Sequence, residues 1–449
     1  MTLESLTEET LVMEEQKSVN DRPVKDHGLH QYRIDEHGNV TVTTENGETF
    51  QCPIILAASP LFSPRHIFTS CHDYHDGEKN LALTRDFNPP GFDLTNRVSC
   101  VPGHIPPDKI SGDTKLYERL FDCFAIRDKE NNQMSDMWSE HTIDKNRTLD
   151  LTVRARDVRM THHLFSCIHS STLSHGMQQG FQAEWWLRNI PGMLETHCQQ
   201  IHDRLISLCE YMGILKCQNP EQGGHPFDLK LEDLFHSIFV RLDVLGYKNV
   251  QWPTKQGGLI GLLINSYIID ERQLYSLYYA LKIANKLKNN KGAKICDLGG
   301  GNGLIIYFLY MMGFTNLYIC DLPEVSLIQA FMLIQHFGHD AVRMTGETHS
   351  SPINVIGPAE FLENDYDLVV NTDSLPEMSK ENVMFYFSHI QDHAKIFYSV
   401  NQESEQKDQL LIWWLIEQEF KNFKLQDRSL FWMRKGYVEE WYEIEPNSN

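Results

Sequence analysis

Residues Lys294 to Met312 carry the densest chemical signal in this 449-residue chain. A short apolar run, Ile295-Cys296-Asp297-Leu298, contains one acid. Glycines follow at Gly299, Gly300, Gly301 and Gly303 with Asn302 among them, and the apolar run from Leu304 begins at once. That pattern predicts a strand, a loop and a helix. Glycines allow positive φ and leave no Cβ to block the approach of a ligand. The helix that follows turns its unpaired N–H groups toward the same place. The spacing excludes two common ligand loops. In G-x-G-x-x-G the third glycine falls on Leu304 or Ile306, and there is no G-x-x-x-x-G-K-[ST]. What stands is D-x-G-x-G-x-G. A second β-like run, Asn316 to Cys320, ends at Asp321, where a carboxylate could accept two hydrogen bonds from a ribose diol.

These residues resemble motif I and the following acidic position of class I S-adenosylmethionine (SAM) methyltransferases. The stretches Cys320 to Val325, Asp367 to Met378 and Phe397 to Gln402 are similar to the sugar O-methyltransferase family, over roughly residues 255 to 405. The resemblance implies SAM as cofactor. Asp297 and Gly299 to Gly303, Asn302 included, would face its methionine part. Asp321 with Leu322 beside it would face the ribose. The loop after the fourth strand, from Asn371 and Thr372 through Asp373, Ser374 and Glu377, would lie next to the methyl group and the acceptor. Methyl transfer to a hydroxyl needs alignment and a base. Asp373 and Glu377 are the carboxylates placed for that role. An Asx turn at Asp373 and a helix N-terminal acid at Glu377 are the structural alternatives.

Other readings of the function stay open at this point. They are methylation of a nitrogen or carbon of a natural-product intermediate, and a methyltransferase-like binding protein without turnover. A nicotinamide oxidoreductase is disfavoured by the glycine spacing.

The elements that must position these groups follow from pattern. From Gly292 onward strands and helices alternate, which implies an α/β fold with a parallel sheet. Strands are expected near 294–297, 316–320, about 341–344, 366–371 and 395–400. Helices are expected near 303–312, 323–337, 379–393 and 408–423. Leu425 to Met433 and Tyr437 to Ile444 read as an antiparallel finish. Before this domain (291–449), residues 181–290 read as a helical cap. Pro191 opens an amphipathic run that Gly213 closes, a second runs from Asp228 to Leu245, and a third starts at Asp270 with Gln273 as its capping-box partner. Residues 27–180 read as an α+β or irregular region that could bind the acceptor, with a small β-meander from Gln31 to Ile55. Residues 1–26 read as a disordered acidic lead-in.

Composition narrows the partners. Acids outnumber lysine and arginine 61 to 40, a net charge of −21, which disfavours nucleic acid and anionic membranes. No apolar run is long enough to span a bilayer and the first residues lack a signal peptide, so a cytoplasmic protein is expected. The ten cysteines show no pairing pattern, which fits a reducing compartment. The expected partner is a small-molecule acceptor, with a homodimer left open. His162, His163, Cys167, His169 and His175 cluster, as do Cys71, His72 and His75, and i, i+4 spacing can bring two ligands onto one helix face. There is no C-x-x-C pair or H-E-x-x-H, however, and no metal is expected.

Overall fold

The structure is a computed structural model that describes residues 30–34, 39–44, 49–53, 97–100, 113–129, 145–174, 176–177, 181–216, 230–403, 410–434 and 436–445. The expected lead-in at 1–26 lies outside them. Its strands are β1 His30–Ile34, β2 Asn39–Thr44, β3 Thr49–Pro53, β4 Val98–Cys100, β5 Ile260–Ile264, β6 Tyr267–Ile269, β7 Ile295–Leu298, β8 Leu317–Cys320, β9 Val342–Met344, β10 Ile353–Ile356, β11 Leu368–Thr372, β12 Ile396–Gln402, β13 Phe423–Leu430 and β14 Tyr437–Ile444.

Eight of these form one sheet in the order β13-β14-β12-β11-β7-β8-β10-β9. Strands β7 to β12 run parallel, and β14 enters antiparallel between β12 and β13. This is an α/β fold with a mostly parallel mixed sheet. The central strands are apolar on both faces because helices cover both. Ile295, Val370 and Tyr398 enter one buried cluster, and Cys296, Val369 and Phe397 enter the other. The first cluster also takes Leu116, Cys198 and Ile238, so helices Thr114–Arg127, Met193–Tyr211 and Leu231–Val244 share a core with the sheet.

Local signals explain several helices. In Glu271–Lys286 the capping box forms: Arg272 N–H donates to Asp270 Oδ1 at 2.8 Å, and Asp270 N–H donates to Gln273 Oε1 at 2.9 Å. Helix Leu304–Met311 starts after Gly303 at φ 77° and is buried nearly all round, as its unbroken apolar sequence requires. Helix Pro323–Phe337 uses proline in its first turn and Gly338 beyond its end.

Several expectations need correction. The strand at 341–344 exists as β9 but at the sheet edge, and β10, which the sequence did not signal, lies between it and β8. Asn354 hides β10: a polar residue inside a four-residue strand is tolerated because Arg343 Nε donates to its Oδ1 at 2.8 Å. The helix expected over 408–423 spans only Ile412–Glu419, and the final hairpin begins at Phe423 rather than Leu425. Pro191 stands between two helices, Phe181–Asn189 and Met193–Tyr211, instead of opening one. The 181–290 region is not wholly helical, since β5 and β6 pair with β4. Within the stretch read as irregular, Thr114–Arg127 and Val158–Ser166 are helices. Among the described residues no helix is long and apolar enough to cross a membrane. No disulfide involves Cys123, Cys167, Cys198, Cys209, Cys296 or Cys320.

Candidate functional site

The carboxyl ends of β7, β8 and β11 converge, which is where ligands lie in open α/β sheets. Gly299 N–H donates to Cys320 O at 2.7 Å, so the glycine loop is tied to the end of β8. Gly301 N–H donates to Asp321 Oδ2 at 2.9 Å and Leu322 N–H to Asp321 Oδ1 at 2.8 Å. Gln329 Nε2 donates to Gly301 O at 2.9 Å and to Asp321 Oδ2 at 3.0 Å. Asp321 thus braces the glycine loop through Oδ2, and one lone pair on Oδ1 stays open to a ligand. Leu322 is half-buried, and its side chain packs on the core. Asn302 is buried.

Three glycines have distinct reasons. A Cβ on Gly299, at φ 72°, would sit 2.0 Å from Ser374 Oγ. On Gly300 it would meet Asp297 Oδ2 at 2.6 Å. On Gly301, at φ 55°, it would meet nothing within 4 Å, so bare backbone borders open space there.

Asp297 is fully buried, and neither carboxylate oxygen has a hydrogen-bond partner. Burial, reinforced by the charge of Asp321, pushes its carboxyl up to about 8. Burial also lifts Asp321, to about 6, against the N–H bonds from Leu322 and Gly301 that favour its charged form. A buried polar group without a partner is rare, and strongly perturbed acids cluster at functional sites.

The loop after β11 departs from expectation. Asn371 is fully buried; its Nδ2 donates to Leu298 O at 2.7 Å and to Ser374 Oγ at 2.5 Å, and its Oδ1 accepts from Leu375 N–H at 3.4 Å. It staples β11 to β7, with both hydrogens of Nδ2 engaged within the fold. Thr372 ends β11 half-buried. Asp373 takes φ 63°, with Arg434 Nη1 2.6 Å from Oδ2 and Tyr437 Oη donating to Oδ1 at 2.5 Å. Glu377 closes the short turn Leu375–Glu377, ahead of Ser379, whose Oγ caps helix Lys380–His393 by accepting from Asn382 N–H. Sequence reading missed Arg434 and Tyr437, which lie 61 and 64 positions from Asp373.

It also missed Arg127. This fully buried side chain donates from Nη2 to Asp321 O at 2.6 Å, from Nη1 to Ile356 O at 3.1 Å, and to Ser326 Oγ. It therefore clasps the ends of β8 and β10 from a helix 194 positions before Asp321. Lys145, also buried, lies 3.9 Å from Glu324. Replacing Arg127 by Met strands these acceptors, and urea denaturation is expected to show a loss of about 3 kcal/mol. Arg127→Lys recovers only part of it, because one ammonium cannot reproduce a planar fork.

The histidine cluster is occupied otherwise. Tyr117 Oη and His162 Nδ1 are 2.7 Å apart, His169 is buried with its pKa lowered to about 4 by that burial, and the Cys167 thiol donates to His163 O. Among the described residues no three metal-binding side chains come together. Cys71, His72, His75 and His175 lie outside them. His389 is buried, stacks on His393 and bonds Asn364 O, while the exposed His393 pairs with Asp365.

No family model matches the sequence, and no curated protein matches it. Solved structures do. A glycopeptide N-methyltransferase, MtfA, complexed with S-adenosyl-L-homocysteine, aligns at 12% identity over 38% of this chain and 90% of its own, with a TM-score of 0.31. The magnesium protoporphyrin IX methyltransferase of Synechocystis PCC 6803, with bound SAM, aligns at 16% identity over 38% of this chain and 78% of its own, TM-score 0.28. The mitomycin 7-O-methyltransferase MmcR aligns at 13% over 39% of this chain and 57% of its own, TM-score 0.28.

Proposed function

We propose that this chain is a SAM-dependent methyltransferase that methylates a hydroxyl oxygen of a small polar acceptor, a sugar or glycosylated metabolite. The observation that carries this reading is the pair Asp297 and Asp321 around a glycine turn with open space at Gly301. The fit to SAM is chemical. A buried carboxylate lacking a partner suits the ammonium of a methionine moiety, and a carboxylate at the end of the second parallel strand suits a ribose diol. SAM supplies a methyl group already activated on a sulfonium, so its departure needs no proton.

The chain has three tasks in this reading. Asp297 and the loop hold the donor, with Asp321 on its ribose. Arg127 fixes the end of β8, so Asp321 does not drift. The loop after β11 aligns the acceptor and removes its proton. Both oxygens of Asp373 are engaged by Arg434 and Tyr437, so its part is to orient those two groups. Glu377, at the end of the turn that follows β11, takes the hydroxyl proton. We place the reaction in the cytoplasm, on the cysteine usage.

Methyl transfer from labelled SAM to a panel of sugars and glycosides tests the reading, with the ether product identified by mass. In that assay Glu377→Gln is expected to lower kcat by about 10²-fold with KM nearly unchanged. Asp373→Asn should instead raise the acceptor KM. Label on nitrogen or carbon in place of oxygen would move the assignment to another nucleophile.

A further inference from the structure

The helical segments contribute a second polar cluster that meets the mechanism above only at Arg434. Arg204, on helix Met193–Tyr211, is 2% exposed, donates from Nε to Tyr275 Oη at 2.7 Å, and lies over the Tyr275 ring. Its Nη1 is buried with no hydrogen-bond partner. Tyr275 in turn donates to Glu271 Oε2 at 3.2 Å. Burial pushes the Glu271 carboxyl up, yet Arg204, Arg434, His197 and Arg272 surround it closely enough to hold it below its ordinary value. Arg434 is the group that pairs with Asp373. Hydrogen bonds therefore join Arg204, Tyr275 and Glu271, and Arg434, which pairs with Asp373 just beyond β11, acts on the charge of Glu271.

The unpartnered guanidinium edge of Arg204 points to the ligand. Three permanent cations, Arg204, Arg272 and Arg434, act on Glu271; Arg434 also pairs with Asp373, and the buried Asp203 acts on Arg204. The chain as a whole is strongly acidic, at −21, so three guanidinium groups acting on one carboxylate are a local exception. A buried guanidinium N–H without an acceptor is rare in a finished structure. Planar donors of this kind match a carboxylate in two-point contact.

We propose that this cluster is the acceptor subsite, and that the acceptor carries a carboxylate, bound by the guanidinium of Arg204 with Arg272 and Arg434 beside it. The proposal rests on the methyltransferase reading above, and it narrows the acceptor from polar molecules in general to hydroxy acids such as sugar acids.

The test uses the full chain saturated with S-adenosylhomocysteine and paired probes that differ only in charge: glucuronate and glucuronamide, gluconate and gluconamide, lactate and lactamide. Binding is followed by thermal shift and calorimetry. At least one acid should bind about tenfold tighter than its amide, the size of one charge-assisted contact. Arg204→Gln should abolish that preference while leaving the affinity for S-adenosylhomocysteine within about twofold. Arg272→Gln, at a half-buried position, should weaken it in the same direction and serves if Arg204→Gln fails to fold. Acids and amides that bind alike, or a preference that survives both substitutions, would overturn the proposal. Wild-type protein that fails to bind S-adenosylhomocysteine would instead remove the reading beneath it.

Discussion

Asp297→Asn is expected to stabilise the unliganded protein at pH 8 and at the same time to cripple ligand binding. The folded carboxyl titrates near 8, while an unfolded aspartate titrates near 3.8. The folded state therefore binds the extra proton over that interval, and stability falls as pH rises from about 4 to about 8. Asp321 shares the lower part of the window, since its own value is near 6. Between about pH 6.5 and 8 the slope belongs mainly to Asp297, and at ~1.4 kcal/mol per unit it amounts to about 2 kcal/mol. Urea titrations across that range should slope downward for the wild type and run nearly flat for Asp297→Asn. A cationic ligand group beside Asp297 would drive its proton off, so the wild type should release a proton on binding S-adenosylhomocysteine at pH 7. The binding enthalpy should then differ between phosphate and Tris buffers. The variant should lose about 10- to 100-fold in affinity together with that buffer dependence. Equal slopes and equal affinities would show that the buried acid serves packing alone.

The second large effect separates ligand contact from folding within one loop. Gly301→Ala places a methyl group where the structure has nothing within 4 Å. The fold should lose only the cost of a left-handed alanine, about 1 kcal/mol. If a ligand lies against that backbone, affinity for S-adenosylhomocysteine should fall at least about 10²-fold. Gly299→Ala is the contrasting case. Its methyl group would displace Ser374, whose hydroxyl bonds Asn371 and Leu298 O, so the damage is to the fold. A loss of about 3 kcal/mol is expected, seen as a clear drop in melting temperature. A Gly301→Ala protein that melts and binds like the wild type would place the ligand elsewhere.

The features that the sequence made legible are those encoded locally. The acid, glycines and apolar run at 295–311 specify the β7–loop–helix unit, and Asp270 with Gln273 specifies a capped helix start. Proline and glycine bracket helix Pro323–Phe337, which spans the expected residues. Long-range partners left no local trace. Nothing near Arg127 indicates that its guanidinium will join the ends of β8 and β10. Arg434 and Tyr437 read as parts of a terminal hairpin, yet they engage both oxygens of Asp373. Asn371 was expected to face the ligand because it ends a strand there. The structure buries it, with one hydrogen bond to β7 and two to the turn that follows β11. Side-chain direction at a strand end is set by such pairing, which one-dimensional spacing does not encode.

Calorimetric titration of the wild-type chain with S-adenosylhomocysteine bears most directly on the claim that Asp297, Asp321 and the glycine turn hold an adenosyl donor. One site per chain with a Kd of about 10 μM or tighter is the expected result. A cooperatively folded protein that gives no binding heat up to about 1 mM ligand would contradict the account.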